Sequence, residues 1–171
     1  MPIDELAADI QRVAELEGQF VLRSGVTSDR YFDKYQFESR PQLLLQVAIA
    51  LAKRVPADTQ VLAGLELGGI ALAVVMGQLL NLETAFIRKQ AKPYGTQRLA
   101  EGAALAGRQV LLVEDIVTSG GALCEAISAL RNEGVELTQA LCVIDREQNG
   151  RANLAALGVE LLSLYRARDL S

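Results

Sequence analysis

Residues 110–122 read Val-Leu-Leu-Val-Glu-Asp-Ile-Val-Thr-Ser-Gly-Gly-Ala. Val110 to Val113 is apolar without alternation, the pattern of a parallel strand buried on both faces. Two acids, Glu114 and Asp115, follow where that strand is expected to end. Thr118, Ser119, Gly120 and Gly121 form a small-residue turn. Behind it Leu123, Ile127 and Leu130 recur at helical spacing. The order is therefore strand, acidic edge, turn, helix.

Each part has a physical use. A turn of hydroxyls and glycines at a helix N-terminus offers unpaired N–H groups and the positive end of the helix dipole, which suits a phosphate. Glycine lets the backbone approach closely because no Cβ intervenes. Two adjacent carboxylates would repel a phosphate that touched them. They make sense as acceptors for the hydroxyls of a sugar diol. A phosphate beside a diol describes a ribose 5-phosphate. An ordinary capped helix explains Thr118 or Ser119 as N-cap and explains the glycines. It gives no reason for two carboxylates side by side at a buried strand end.

Outward from this stretch, 171 residues are one domain with room for a real core. Half the residues are hydrophobic, which excludes a disordered chain. No apolar run is long enough to span a bilayer. Residues 1–10 hold three acids and no basic residue, unlike a signal peptide. The net charge of −4 gives no basic footprint for nucleic acid. Cys124 and Cys142 fall in a predicted helix and a predicted strand, so two buried thiols in a reducing cytoplasm are expected. There is no histidine. That excludes His-ligated metals, Ser-His-Asp hydrolases and histidine general bases.

In chain order, Leu6, Ile10 and Val13 share one face of a first helix that Gly18 is expected to end. Residues 20–33 form a hairpin: Phe20 and Leu22 alternate, Ser24-Gly25 turns, and Tyr31-Phe32 begins the returning strand. Pro41 opens a helix over 42–54. From Val61 strands and helices alternate. Strands are expected at 61–63, 84–87, 110–113, 137–144 and 159–164. Helices are expected at 71–80, 121–133 and 151–157, with a three-glycine turn over 64–69 and a loop over 88–102. That alternation implies a parallel sheet with helices on its faces. Glu66, Lys89, Asp115 and Arg146 all follow strands and so lie on one edge, where ligands of such sheets bind.

The 88–102 loop carries Arg88, Lys89, Lys92 and Arg98, two glycines and a proline, with little apolar surface to hold it down. A loop of that length without structure is usually functional or disordered. Its cations match what a diphosphate needs.

Residues 110–122 resemble the 5-phosphoribosyl 1-diphosphate (PRPP) motif of type I phosphoribosyltransferases. Three more stretches narrow the resemblance to the orotate phosphoribosyltransferases. They are Arg88-Lys-x-x-Lys92-x-Tyr94-Gly with Glu101-Gly102, Phe20-x-Leu-Arg23-Ser-Gly-x-x-Ser-x-x-Tyr31-Phe32-Asp33, and Asp145-Arg146-Glu147. Together the four cover residues 20 to 150 in the family's order. The resemblance implies an α/β fold with a central mostly parallel sheet flanked by helices. Residues 1–40 would form a small N-terminal helix and hairpin hood, and residues 41–171 the core of one domain.

It also implies roles. PRPP would be held by Arg88, Lys89, Lys92, Tyr94, Glu114, Asp115, Ile116, Val117, Thr118, Ser119, Gly120, Gly121 and Ala122. Among these Arg88, Lys89, Lys92, Glu114 and Asp115 would be catalytic. Orotate would meet Thr118, Arg146, Arg23, Tyr31 and Phe32. Mg²⁺ would be carried by PRPP oxygens rather than by the protein, and the active sites would be shared in a cytoplasmic homodimer. The product would be orotidine 5′-phosphate, on the route to UMP. A purine phosphoribosyltransferase, or a non-catalytic sensor of PRPP or nucleotides, are the alternatives. Two departures stand out. Tyr94 replaces a histidine common in the family, and the 64–70 loop lacks a lysine that some relatives have.

Overall fold

The computed structural model describes residues 3–22, 25–90 and 98–170. Arg23, Ser24, Lys92 and Tyr94 lie outside the described residues. The chain begins with α1 (Ile3–Ala14), the hairpin β1 (Glu15–Val21) and β2 (Thr27–Phe32), the single turn α2 (Tyr35–Glu38) and α3 (Pro41–Ala52). The core continues with β3 (Val61–Leu65), α4 (Gly68–Leu80), β4 (Glu83–Ile87), β5 (Ala100–Gly102) and β6 (Val110–Val117). It closes with α5 (Gly121–Asn132), β7 (Gln139–Asp145), α6 (Gly150–Ala156), β8 (Glu160–Arg166) and a 3-10 turn, Ala167–Leu170.

Six strands form one sheet in the order β5-β4-β3-β6-β7-β8. All pairs are parallel except β5, which runs antiparallel to β4. β6 is central because both its faces are covered. Leu111 and Val113 join Ile10, Phe37, Val47 and Met76 in one buried cluster. Val110 and Leu112 join Ile127, Leu130 and Leu154 in another. An apolar run without alternation is what such a position requires. Each fully buried Leu, Ile or Phe contributes about 1.5–3 kcal/mol relative to exposure.

Several boundaries differ from the sequence reading, each for a physical reason. The central strand does not stop at Val113 but continues through both acids to Val117. The acids themselves serve the backbone there. Asp115 N–H donates to Glu114 Oε1 at 3.0 Å, and Ile116 N–H donates to Asp115 Oδ1 at 2.5 Å. Gly18 lies inside β1 and does not end α1, which stops at Ala14. The Ala14 carbonyl there accepts from Asp33 N–H at 2.8 Å. Thr27, not Tyr31, starts the returning strand.

The 64–69 segment is less a turn than a close approach. Gly64 ends up in β3 and Gly68 and Gly69 open α4. A Cβ on Gly69 would sit 2.2 Å from the Val113 carbonyl oxygen, so the helix start rests directly on β6. The 88–102 loop returns as β5, with Arg88 N–H donating to Leu99 O at 2.9 Å. The short α2 was not legible in the sequence.

Candidate active site

The carboxyl ends of β3, β4 and β6 and the start of α5 enclose a cleft of about 700 Å³. Glu66, Arg88, Lys89 and Gln90 line one side, and Thr118, Ser119, Gly121, Ala122 and Glu125 the other. Lys89 is fixed by its own backbone, whose N–H donates to Glu66 Oε1 at 2.5 Å. Arg88 Nε stands 3.7 Å from Glu101 Oε1 on β5. The structure thus brings Arg88 and Lys89, described cations of the 88–102 loop, to the same cleft as the small-residue turn.

That turn is built by backbone. Gly120, not Thr118 or Ser119, is the N-cap of α5, at φ +75°. That left-handed conformation strains any residue with a Cβ. Gly150 at the start of α6 packs behind it, where a Cβ would meet the Thr118 carbonyl oxygen at 2.5 Å. Asn153 Nδ2 donates to Ser119 O at 2.9 Å. With the loop pinned, the first N–H groups of the twelve-residue α5 face the cleft end with no intrahelical acceptor. This is an arrangement that binds an anion.

Glu114 and Asp115, on the stretch of β6 that leads to Thr118, are 9% and 0% exposed and are not among the residues lining the cleft. Lys34, just ahead of α2, donates to Asp115 Oδ1 at 2.9 Å and stands 2.7 Å from Oδ2. Burial works against the charge on Lys34, but Asp115 outweighs it and raises the ammonium pKa above its ordinary 10.5. Burial, reinforced by the charge on Asp115, raises Glu38 to about 8. The same two causes, in the same order, hold Glu114 well above the ordinary carboxylate range. Three acids thus share one lysine, and two of them favour the neutral form. The repulsion that paired carboxylates would exert on a phosphate is reduced in this way.

Lys34 and Glu38 were missed in the sequence. They sit 81 and 77 positions from Asp115, on a turn too short to show a period.

A second recess, of about 260 Å³, is lined by Arg30, Tyr31, Phe32 and Arg146 among others. Arg146 stands over the Phe32 ring, 5.6 Å from its centroid, a cation–π distance. Its N–H donates to Val117 O at 2.8 Å, which ties the β7 end to the β6 end. Tyr31 instead packs on Phe20, with ring centroids 5.4 Å apart. The structure therefore brings Phe32 and Arg146 together, and gives Tyr31 a packing partner within the hairpin.

Residues 36–156 match the phosphoribosyl transferase domain family. An orotate phosphoribosyltransferase of Nocardioides sp. is 49% identical over 165 residues, spanning 96% of this chain and 92% of that protein. The chain belongs to the orotate phosphoribosyltransferase family. A relative of the same name from Halobacterium salinarum is 42% identical over 168 residues, 98% of this chain and 95% of that one. The crystal structure of Mycobacterium tuberculosis orotate phosphoribosyltransferase in complex with Fe(III) dicitrate superposes with a TM-score of 0.85 at 28% identity. That match covers 99% of this chain and 98% of the other. The family fold accounts for the mostly parallel sheet and the helices on both its faces. Among the described residues, no helix is long and apolar enough to cross a membrane.

Proposed function

We propose that the protein transfers the 5-phosphoribosyl group from PRPP to orotate, releasing diphosphate and forming orotidine 5′-phosphate on the route to UMP. One observation carries this reading. A pinned glycine turn at the α5 N-terminus faces Arg88 and Lys89 across one cleft, at the end of the strand that carries two adjacent acids. No simpler ligand than a phosphorylated ribose with a second anionic group uses all three.

In this reading Thr118 to Ala122 hold the 5′-phosphate, with Ile116 and Val117 as the strand that presents them. Glu114, the more exposed acid, meets the ribose hydroxyls from the cleft side. Asp115 completes the pair from below, sharing its carboxylate with Lys34. Bond breaking at the anomeric carbon leads bond making, so catalysis is mainly positioning and electrostatics. Arg88 and Lys89, joined by Lys92 and Tyr94, cover the diphosphate and exclude water that would hydrolyse a cation-like ribose. Phe32 and Arg146 receive the flat, anionic base, with Arg23, Tyr31 and Thr118 around it. A planar guanidinium suits a carboxylate.

Mg²⁺ would enter with the substrate, carried by PRPP oxygens rather than by side chains of the protein. Among the described residues no three His, Cys, Asp or Glu side chains converge as a metal cage. When bound, the ion neutralises charge on the leaving group.

We place the enzyme in the cytoplasm as a homodimer. Supporting the dimer, Leu67 is 65% exposed, next to an apolar groove lined by Ile70, Val74 and Phe86.

The deciding experiment follows orotate disappearance with PRPP and Mg²⁺, with adenine and hypoxanthine run beside it. Turnover of orotate alone is expected. Turnover of a purine alone would favour the purine enzyme, and no turnover of any base would favour a sensor. For the shared site, Lys92→Ala and Asp115→Asn proteins are mixed under verified subunit exchange. Half the dimers are then mixed, each with one intact site, so about a quarter of wild-type activity returns if the lid acts across the dimer. A mixture that stays inactive puts the lid in its own subunit.

A further inference from the structure

The hood reaches the site through Lys34 and Glu38. Asp115 Oδ1 is occupied by the Ile116 N–H and by Lys34. Asp115 Oδ2 and Glu38 Oε1 are both shut off from solvent, and apart from the Lys34 ammonium 2.7 Å from Oδ2, which is not directed at it as a hydrogen bond, neither has a donor among the described residues. Both oxygens crowd one point in space. A Cβ built on Gly68 would lie 1.7 Å from Asp115 Oδ2 and 2.6 Å from Glu38 Oε1. Two charged carboxylate oxygens no more than about 4.3 Å apart, those two distances end to end, and out of water repel each other. A single hydrogen between them satisfies both.

We propose that Lys34 and Glu38 are positioning residues for the acid pair that receives the ribose, Glu38 by keeping a proton that it donates to Asp115 Oδ2 and Lys34 by holding Oδ1. This rests on the reading of Glu114 and Asp115 as the ribose acceptors. Clamped at both oxygens, Asp115 cannot swing. Its N–H stays on Glu114 Oε1 and keeps that acid oriented.

The groups facing Glu38 agree with a neutral acid. Asp115 on β6 and Asp33 ahead of α2 raise its pKa, Lys34 lowers it less, and burial dominates. Glu114 lies beyond Asp115 on β6. The α4 start contributes only Gly68 and Gly69. When Glu38 loses its proton above about pH 8, it pushes Asp115 off its seat. Lys34, with its raised pKa, stays charged through that range.

Five proteins test this: wild type, Glu38→Gln, Glu38→Ala, Lys34→Met and Asp115→Asn. Each is measured for PRPP binding without orotate, and for KM and kcat from about pH 6 to about pH 9. The wild-type kcat/KM for PRPP is expected to fall above about pH 8. Glu38→Ala and Lys34→Met each raise the KM for PRPP about tenfold while that for orotate moves little, since one Asp115 oxygen loses its donor. Glu38→Gln recovers most of the affinity that Ala loses, because an amide N–H also donates, and its profile loses the alkaline fall. A Gln variant that keeps the fall overturns the proposal, as does an Ala variant that binds PRPP like wild type.

Should Glu38→Ala fold poorly, as a thermal melt would reveal, the Gln profile alone decides. Asp115→Asn separates the two layers. A raised KM for PRPP there, with Glu38→Ala at wild type, rejects the positioning role alone. A wild-type KM in Asp115→Asn rejects the ribose reading and the proposal with it.

Discussion

Asp115 on β6 and Asp145 on β7 stand on neighbouring parallel strands, 0% and 1% exposed. Asp145 finds its partners nearby. Glu147 N–H donates to its Oδ1 at 2.9 Å, and Arg151 donates to Oδ2 at 3.1 Å. Arg151 is further held by the Leu161 carbonyl and Ser163. Asp115 draws its lysine from 81 positions away and shares its space with Glu38 and Glu114. The first set closes as soon as the β7–α6 turn forms. The second forms only when residues 34–38 have packed against β6. Burial of a carboxylate is therefore a poor mark of function, and surplus acid around it is a better one.

Substitution at the two aspartates should separate these cases most widely. Asp115→Asn is expected to lower kcat/KM by about 10²- to 10³-fold, the scale of losing one group that stabilises developing charge. Its melting temperature should hold or rise, because one acid leaves a crowded cluster. Asp145→Ala should do the reverse. It costs about 2 kcal/mol of stability by stranding Arg151 and the Glu147 N–H, and it changes kcat by less than about threefold. Steady-state kinetics beside thermal melts read both, and exchanged outcomes would break the comparison.

A smaller effect is expected one residue further. Arg146 is presented by the turn that Asp145 anchors. Arg146→Ala should raise the KM for orotate about tenfold and leave that for PRPP nearly unchanged, by loss of a charge-assisted contact. Equal rises in both would make Arg146 part of the Asp145 scaffold instead.

The smallest effect is a slope. Folded Glu38 keeps a proton up to about pH 8 that the unfolded chain releases near its ordinary 4.5. Its contribution to stability is therefore complete below pH 4.5 and is lost as pH rises through about 8. Melting temperatures across that window should decline less steeply in Glu38→Gln than in wild type, by a few degrees at most. Glu114, raised by the same causes, leaves part of the slope in place.

The sequence made the sheet legible where the signal was local. Uninterrupted apolar runs marked β3, β6 and β7, and the glycine turn marked the start of α5. Local signals failed where a distant partner decided. β6 runs on through Glu114 and Asp115 because β7 keeps pairing with it there, with Glu114 opposite Cys142 and Val117 opposite Asp145. Gly64 and Gly69 looked like turn residues and are packing residues, small because the start of α4 lies on β3 at Gly64 and on β6 at Gly69. Lys34 and Glu38 carry no motif, since what makes them important is an acid in another quarter of the chain. Phe32 was found by resemblance to a family hairpin, and its partner Arg146 likewise, while their contact needed the fold.

The hood is anchored unevenly. α1 buries Leu6, Ile10 and Val13 in the same cluster as Val47, Met76 and Leu141, whereas Val21 and Val26 near the hairpin tip are 78% and 60% exposed. Amide hydrogens in α1 should therefore exchange with deuterium only when the main core opens, and those at the outer ends of β1 and β2 by local fraying. The border between slow and fast amides falls near Ala14, where Asp33 N–H holds the helix end. Phe32 and Lys34 flank that bond on the slow side. The hairpin tip can breathe without loosening Phe32 and Lys34.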